Sequence, residues 1–300
     1  MTRPLYLDCT PFMAEQLAVV APGHADLLDL HMGDPPEETI ADLAQGRAVL
    51  LNGHTYMDAA LLARLPELRR IVFLGSGASS YIDMAAATAQ GIAVDVIAGY
   101  GDRAVAEHAF ALMLAAARQV AAMDRDLRAG RWEPLEGIEL GGRTVGVLGY
   151  GGIAREFAGL AAGFGMTVLV WSRRRQADCP YKQVPLEELL PRADVVSLHL
   201  ALTEETRGFL GGARIGAMKP GAILVNTARA GLVDDGALLV ALRDGRLRHA
   251  ALDVFDQEPL AKDSPWPGAP RATLSAHAGF KTPEAGQRLL RRGLALAGIG

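Results

Sequence analysis

The chain has 300 residues, 50% of them hydrophobic and 21% charged, and its formal net charge at pH 7 is −4. This length predicts two domains at roughly 150 residues each, and the near-balance of charge gives no reason to expect nucleic acid or an anionic membrane as a partner. Two cysteines, Cys9 and Cys179, make neither a disulfide framework nor a metal cluster, and no apolar run approaches the ~20 residues of a membrane span. With no secretory signal apparent, we expect a cytoplasmic protein that holds no metal.

Short apolar runs alternate with helical patterns over the first hundred residues. The runs predict strands at Leu5–Leu7, Ala48–Leu51, Ile71–Leu74 and Ile92–Val94. A helix is predicted over Met57–Leu65, where Pro66 ends the pattern. The alanine-rich segment Ala104–Ala122 contains no Gly or Pro and predicts one long helix.

From residue 144 the alternation becomes more regular. Six further strands are predicted, at Val145–Leu148, Thr167–Val170, Val195–Leu198, Ala222–Val225, Ala250–Leu252 and Ala272–Leu274. Helical patterns at Ile153–Phe164 and Gly236–Arg243 lie between some of them. Apolar runs without polar alternation are typical of strands buried on both faces, so the chain is predicted to form two α/β domains with doubly wound parallel sheets.

Residues 144–154 read as strand, glycine turn and helix, with the spacing G-x-G-x-x-A. Gly149 permits the tight turn, Gly151 lets a pyrophosphate approach the backbone, and Ala154 is small enough for the helix to pack on the strand. N–H groups at the positive end of the helix would bind the phosphates. A tight turn packed for structure alone is the alternative, but the flanking strand and helix favour dinucleotide binding.

The second strand of such a fold usually ends in a carboxylate that holds the ribose hydroxyls. Here the strand is followed by Ser172, Arg173, Arg174 and Arg175, and no carboxylate stands there. Arginines hold a 2′-phosphate that a carboxylate would repel. The sequence therefore favours NADP, with NAD possible, and a solvated basic loop is the alternative reading.

Segments after three later strands carry one cation, one carboxylate and one imidazole, namely Arg229, Glu258 and His277. Sheets of this kind bind ligands at their strand ends, which makes the three residues candidates for a carbonyl-reducing site. The arginine would bind an acid and polarise its carbonyl, the histidine would exchange the hydroxyl proton, and the glutamate would orient the imidazole. Each alone is commonly structural, and their order after a nucleotide turn favours the catalytic reading.

These motifs closely resemble the D-isomer-specific 2-hydroxyacid dehydrogenases over nearly the whole chain. The most specific stretches are Met218–Arg229 and Ala251–Pro259, and further matches are Gly75–Asp83, Val105–His108, Leu140–Ile153 and His199–Thr206. Ala201 replaces the usual proline of the last segment. Gly101 stands where the formate dehydrogenase branch has asparagine, which argues against formate.

The resemblance implies a Rossmann cofactor domain, residues 101–280, inserted into a flavodoxin-like substrate domain of residues 1–100 and 281–300. It implies that Arg229, Glu258 and His277 carry catalysis. Backbone amides around Ser76 and Gly77, together with Arg229, would bind the substrate carboxylate. The implied cofactor-binding residues are Gly149, Tyr150, Gly151, Gly152, Ile153, Ser172, Arg173, Arg174, His199, Thr227, Ala228, Asp253, His277 and Gly279, with Asp253 at the nicotinamide end.

The implied reaction moves a hydride between nicotinamide C4 and the 2-carbon of a small 2-oxo or D-2-hydroxy acid, with the glyoxylate or hydroxypyruvate class favoured. Candidates for the pocket of the substrate side chain are Asn52, His54, Tyr100 and Trp266. A homodimer that pairs through the helix between the domains is expected. Two alternatives are an NAD(H)-sensing binding protein like the family's corepressor branch, and a phosphoglycerate dehydrogenase-like enzyme. Within these 300 residues we find no added peptide-recognition segment, which argues against the first alternative, and no regulatory domain, which argues against the second.

Overall fold

The apolar runs form two parallel β-sheets in the computed structural model, which describes residues 2–299. The chain divides into two units, one made of residues 1–101 and 281–300 and the other of residues 102–280. Each unit has its own sheet covered by helices, which confirms the predicted α/β class with two doubly wound domains. No helix among residues 2–299 has the length and apolar character needed to cross a membrane.

The first unit contains a five-stranded sheet in the order β2-β1-β3-β4-β5, which is the flavodoxin-like order. Its strands are β1 Leu5–Cys9, β2 Asp29–Met32, β3 Val49–Asn52, β4 Arg70–Phe73 and β5 Ala93–Val96. Its helices are α1 Pro11–Val20, α2 Glu37–Ala44, α3 Ala59–Ala63, α4 Met84–Ala89 and α11 Pro283–Leu296. The edge strand β2 was not predicted, because it is only partly buried and carries polar residues that hide the apolar pattern.

The C-terminal helix α11 packs on α1 within this unit. A methyl group at Gly286 would lie 3.3 Å from the Phe12 ring, and the amide of Gln287 donates to Gln16 Oε1 at 3.0 Å. Leu289 and Leu290 on the same helix are buried in the apolar core of the unit.

The second unit contains a seven-stranded sheet in the order β12-β11-β10-β9-β6-β7-β8. Its strands are β6 Thr144–Leu148, β7 Thr167–Trp171, β8 Lys182–Gln183, β9 Val195–Leu198, β10 Ile223–Asn226, β11 His249–Leu252 and β12 Ala272–Leu274. Its helices are α5 Asp102–Arg118, α6 Val120–Arg128, α7 Gly152–Gly163, α8 Leu186–Arg192, α9 Gly212–Ala217 and α10 Asp235–Arg243. Counted from β6, this is the Rossmann strand order with a seventh strand, and its switch point lies between β6 and β9.

The prediction of one continuous helix over Ala104–Ala122 was wrong. Helix α5 ends where Gln119 takes a left-handed conformation, with φ +54°, and α6 begins at the next residue. The carbonyl of Ala117 accepts a hydrogen bond from the Ile138 N–H at 2.9 Å, and the Gln119 side chain donates to the Glu136 carbonyl at 2.7 Å. A returning segment thus satisfies the end of α5 in place of a further helical turn.

Candidate active site

The glycine turn joins β6 to α7 at the switch point of the second sheet. Gly149 has φ +94°, and a methyl group there would lie 2.5 Å from the carbonyl oxygen of His199. Gly151 precedes the helix without a side-chain cap, so the first N–H groups of α7 remain available to an anion. Ala154 is fully buried, as the close packing of helix on strand requires. The turn therefore has the shape and donors that a dinucleotide pyrophosphate needs.

A second feature that fits a polar ligand follows β10. The hydroxyl of Thr227 is buried, and it has no hydrogen-bond partner among the described residues. The preceding Asn226 braces this loop, accepting from the Ala228 N–H and donating to the Arg229 carbonyl, both at 3.0 Å. Because buried polar atoms nearly always form a hydrogen bond, the Thr227 hydroxyl favours a polar ligand group at this point.

The loop after β7 carries the predicted 2′-phosphate residues. The hydroxyl of Ser172 donates to the Arg174 carbonyl at 2.6 Å, which shapes the turn. Arg173 Nη1 lies 2.7 Å from Glu205 Oε2, an ion pair that the sequence did not reveal because Glu205 follows a different strand. Arg174 is exposed and forms no ion pair with a carboxylate within residues 2–299.

His199, in the loop after β9, is a neutral group. Its Nε2 lies 2.9 Å from Ser197 Oγ, and its ring centroid lies 5.0 Å from that of Phe157. Loss of solvation in this apolar packing lowers the pKa of His199 to about 3. The His199 ring is therefore an uncharged group that can form hydrogen bonds.

Glu258 and His277 form a direct hydrogen bond. His277 Nδ1 lies 2.5 Å from Glu258 Oε2, and the other oxygen of Glu258 accepts from the Phe255 N–H at 2.9 Å. Burial favours a higher pKa for Glu258, but the bonds from His277 and Phe255 and the charge of Arg229 outweigh it and lower the pKa. The carboxylate is therefore ionised, and His277 Nε2 is the ring nitrogen left to exchange a proton with a ligand.

Arg229 completes the predicted set of three. Its backbone is extended after β10, and its guanidinium donates to the Ala228 carbonyl at 2.6 Å. The structure thus brings together Arg229, Glu258 and His277, the first and last of which are 48 positions apart, beyond the ends of β10, β11 and β12. A cation, a carboxylate and an imidazole in this arrangement suit an acid substrate whose carbonyl oxygen gains a proton on reduction or whose hydroxyl group loses one on oxidation.

The backbone of His277 is held in an unusual conformation. Its φ of +50° is left-handed, which costs a non-glycine residue on the order of 1–3 kcal/mol. The His277 N–H donates to the Asp253 carbonyl at 2.8 Å, and the N–H groups of Ala278 and Gly279 donate to the Asp253 carboxylate, each at 2.9 Å. Asp253 therefore organises this loop, and its contact with a nicotinamide stays a prediction.

Ser76 and Gly77 lie in the first unit, in the loop between β4 and a short 3-10 helix at Ala78–Ser80. Ser76 is exposed, and within residues 2–299 neither Ser76 N–H nor Gly77 N–H donates to an acceptor. Two unused backbone donors in one loop are suited to an anionic group such as a carboxylate.

A second loop of the first unit is anchored by a buried carboxylate that sequence analysis missed. Asp8, 1% exposed, accepts from the N–H groups of Gly53, His54 and Thr55 at 2.8, 2.6 and 2.7 Å and from the Thr55 hydroxyl at 2.9 Å. The side chain of His54 stays 41% exposed. Asp8 reads as an ordinary residue of a strand, so no local signal marks it.

Two of the four candidates for the substrate pocket are buried and hydrogen-bonded within their own units, and their role in the pocket stays a prediction. Asn52 is fully buried and donates to the Thr55 carbonyl at 2.9 Å. Trp266 is buried, and its indole N–H donates to Asp235 at 2.9 Å. In the described part of the chain, no group of three or more His, Cys, Asp or Glu residues is placed to hold a metal ion.

Comparison with known proteins places the chain among dehydrogenases. Residues 110–279 match the family model described as the NAD-binding domain of D-isomer-specific 2-hydroxyacid dehydrogenases. The chain is 38% identical over 271 residues to a glyoxylate reductase of Aeropyrum pernix, which covers 85% of this chain and 80% of the relative. It is equally identical to a D-3-phosphoglycerate dehydrogenase of Mycobacterium leprae, covering 88% of this chain but only 51% of that protein. The chain thus spans about half the length of the latter relative.

Solved structures show the same likeness over nearly the whole chain. The TT0316 protein of Thermus thermophilus superposes with a TM-score of 0.87 and 34% identity, over 98% of this chain and 94% of that one. A glyoxylate reductase of Paecilomyes thermophila superposes with a TM-score of 0.84 and 29% identity, over 98% and 93%.

Proposed function

We propose, on the premise that the chain belongs to the D-isomer-specific 2-hydroxyacid dehydrogenase family, that it transfers a hydride between a nicotinamide cofactor and a small 2-oxo or D-2-hydroxy acid. The observation that carries the proposal is the 2.5 Å bond between Glu258 and His277, with the charge of Arg229 acting on the same carboxylate. These groups supply an acid-binding cation and a proton donor with an anionic partner.

Each side chain then has a defined role. When bound, the cofactor supplies or accepts the hydride. Arg229 binds the substrate carboxylate through its planar guanidinium and polarises the adjacent carbonyl. His277 Nε2 donates a proton to the carbonyl oxygen during reduction and takes it back during oxidation, while Glu258 stabilises the imidazolium. General acid catalysis of this kind contributes roughly a hundredfold to ten-thousandfold.

The cofactor is proposed to lie along the ends of the second sheet, with its phosphates on the turn at Gly149. The Thr227 hydroxyl supports this placement, since it is a buried group with no hydrogen-bond partner among residues 2–299. The other proposed contacts are Tyr150, Gly151, Gly152, Ile153, Ser172, Arg173, Arg174, His199, Ala228, Asp253, His277 and Gly279. We propose NADP as the favoured form, although Arg173 must leave Glu205 to meet a 2′-phosphate.

A panel of 2-oxo acids assayed with NADH and NADPH tests the activity. Wild type should reduce glyoxylate or hydroxypyruvate, and His277→Ala should lose at least a hundredfold in kcat with cofactor affinity within twofold. Arg229→Ala should raise KM as well as lower kcat, because it binds the acid in ground and transition states alike. His24→Ala, in the first unit, is the matched control. Wild-type turnover by His277→Ala, or no reduction of any 2-oxo acid, would contradict the proposal.

The substrate is proposed to be of the glyoxylate or hydroxypyruvate class, and a phosphoglycerate dehydrogenase-like activity is the alternative. Relatives of both names match this chain at 38% identity. The ratio of kcat/KM for hydroxypyruvate and for its 3-phosphorylated form decides between them. Measured turnover also rules against a purely NAD(H)-sensing role.

The unit containing residues 102–280 is proposed as the cofactor domain and the other unit as the substrate domain, where the N–H groups of Ser76 and Gly77 have no acceptor within the described residues 2–299. A cytoplasmic location suits the two free thiols, Cys9 and Cys179.

A homodimer is proposed from exposed apolar side chains on and after α6. Val120 and Leu127 are each 52% exposed and Trp132 is 84% exposed, while many apolar residues of α5 are buried within the chain. Light scattering should give twice the chain mass for wild type and less for Trp132→Ala.

A further inference from the structure

His108 on α5 has no role in the proposed reaction, and it belongs to a hydrogen-bonded group with Ser275 and Asp253. Its Nε2 lies 2.9 Å from Ser275 Oγ and 3.2 Å from Asp253 Oδ1. The Ser275 hydroxyl in turn donates to Asp253 Oδ1 at 2.6 Å. His108 therefore contacts the Asp253 carboxylate both directly and through the Ser275 hydroxyl. The loop that carries His277 is folded around this carboxylate.

The loop of residues 275–279 winds closely around this carboxylate. A methyl group at Gly279 would lie 3.1 Å from Asp253 Oδ2 and 3.5 Å from His108 Cδ2, so a larger residue would press on both. Burial favours a higher pKa for Asp253, but the bonds from His108, Ser275 and the two loop N–H groups outweigh it and lower the pKa. An ionised, buried carboxylate keeps a single orientation only while its donors remain in place.

We propose that His108 and Ser275 are positioning residues, which hold Asp253 so that the loop presents His277 Nδ1 to Glu258. The inference rests on the proposed function, because it assigns His277 the proton transfer. The left-handed backbone of His277 is disfavoured on its own, and the bonds to Asp253 compensate for it. Loss of the His108 bonds frees Asp253 to rotate, the loop relaxes, and the bond to Glu258 lengthens.

The groups that face the rings of His277 and His108 determine how a substitution at His108 can affect His277. Glu258 bonds to His277 directly, the charge of Arg229 acts on Glu258, and Asp253 reaches His277 through the main chain. His108 faces Asp253 and Ser275. Its removal can therefore affect the titration of His277 only through the loop or through the small long-range field of one histidine.

The test follows the His277 ring by NMR over a pH series in the cofactor-free protein. His108→Ala and Ser275→Ala should move its titration midpoint to lower pH, in the same direction as Glu258→Gln, because the bond to the carboxylate weakens. The kcat of reduction by the His108→Ala variant should fall about tenfold, the equivalent of one hydrogen bond to a charged group. His108→Gln, which keeps an N–H donor, should restore most of both.

His249 is the matched control, because its Nε2 lies 2.9 Å from the Thr273 hydroxyl and, among the described residues, its ring forms no hydrogen bond or ion pair with the loop. His249→Ala should lower thermal stability and leave the His277 midpoint unchanged. An unchanged midpoint and kcat in His108→Ala, or an equal shift in His249→Ala, would overturn the inference. If wild type reduced no 2-oxo acid, the proposed function would fail while the NMR result still decided the positioning role.

Discussion

Replacing Glu258 with glutamine should remove about 1.5 kcal/mol of stabilisation from the protonated ring of His277 and so move the falling limb of reduction to lower pH. The bond to His277 is 2.5 Å long, and the two side chains are 30% and 31% exposed. A hydrogen bond between charged groups contributes about 1.5–3 kcal/mol, and we take the lower end because solvent partly screens this pair. Glutamine keeps the shape but lacks the charge that stabilises the imidazolium.

The sign follows from which form of the histidine reacts. Reduction needs the protonated ring, so its rate falls as pH rises, and the variant should lose rate at a lower pH than wild type. Oxidation of the hydroxy acid needs the neutral ring, so its rising limb should move to lower pH as well. The assay is kcat/KM in both directions from pH 5 to 9, with Asp256→Asn as a control that removes a nearby exposed carboxylate. Limbs that coincide with those of wild type would show that Glu258 does not stabilise the ring.

Three further results are expected. A methyl group at Gly152 would lie 1.8 Å from Asp102 Oδ2, so Gly152→Ala should lower the free energy of unfolding more in wild type than in the Asp102→Ala background. Urea unfolding should give a coupling energy of at least about 0.5 kcal/mol between the two substitutions. Glu205→Gln should lower the Kd for NADPH more than that for NADH, by about threefold to tenfold, since it releases Arg173; equal changes for both would count against a 2′-phosphate site. His199→Asn should reduce the loss of stability in acid, because the pKa of His199 is about 3 in the folded state and about 6.5 in the unfolded state. The free energy of unfolding of the wild type should therefore fall by on the order of 1–2 kcal/mol between pH 7 and 5. A variant with the same loss would contradict this.

Features with a local cause were predictable. The glycine turn was found because the strand, the left-handed Gly149 and the helix are adjacent in sequence. Six of the seven strands of the second unit agree with the prediction to within a residue or two, and the short edge strand β8, Lys182–Gln183, was not predicted. The grouping of Arg229 with Glu258 and His277 followed from their positions after strands whose carboxyl ends share one edge of the sheet.

Features that depend on a distant partner were not predictable. The break at Gln119 requires the Ile138 N–H to reach the end of α5, and the pattern of α5 contains no breaker. The pairing of His108 with Asp253 joins residues 145 positions apart, and each alone is an ordinary polar residue of a helix or a strand end. The ion pair of Arg173 with Glu205 likewise arises only once two loops meet.

The anchoring of the loop at Gly53–Thr55 has a consequence for how such a protein diversifies. Asp8 holds the loop through backbone N–H groups and the Thr55 hydroxyl, and none of these bonds needs the side chain of residue 54. A substitution at position 54 therefore removes the contacts of the His54 ring with Asp34 and Asp8 but none of the bonds that fix the backbone of the loop, whereas a substitution at position 8 removes all of those bonds. The side chain displayed at this exposed point can therefore change during evolution, or be selected from a library, while the backbone of the loop keeps its hydrogen bonds to Asp8.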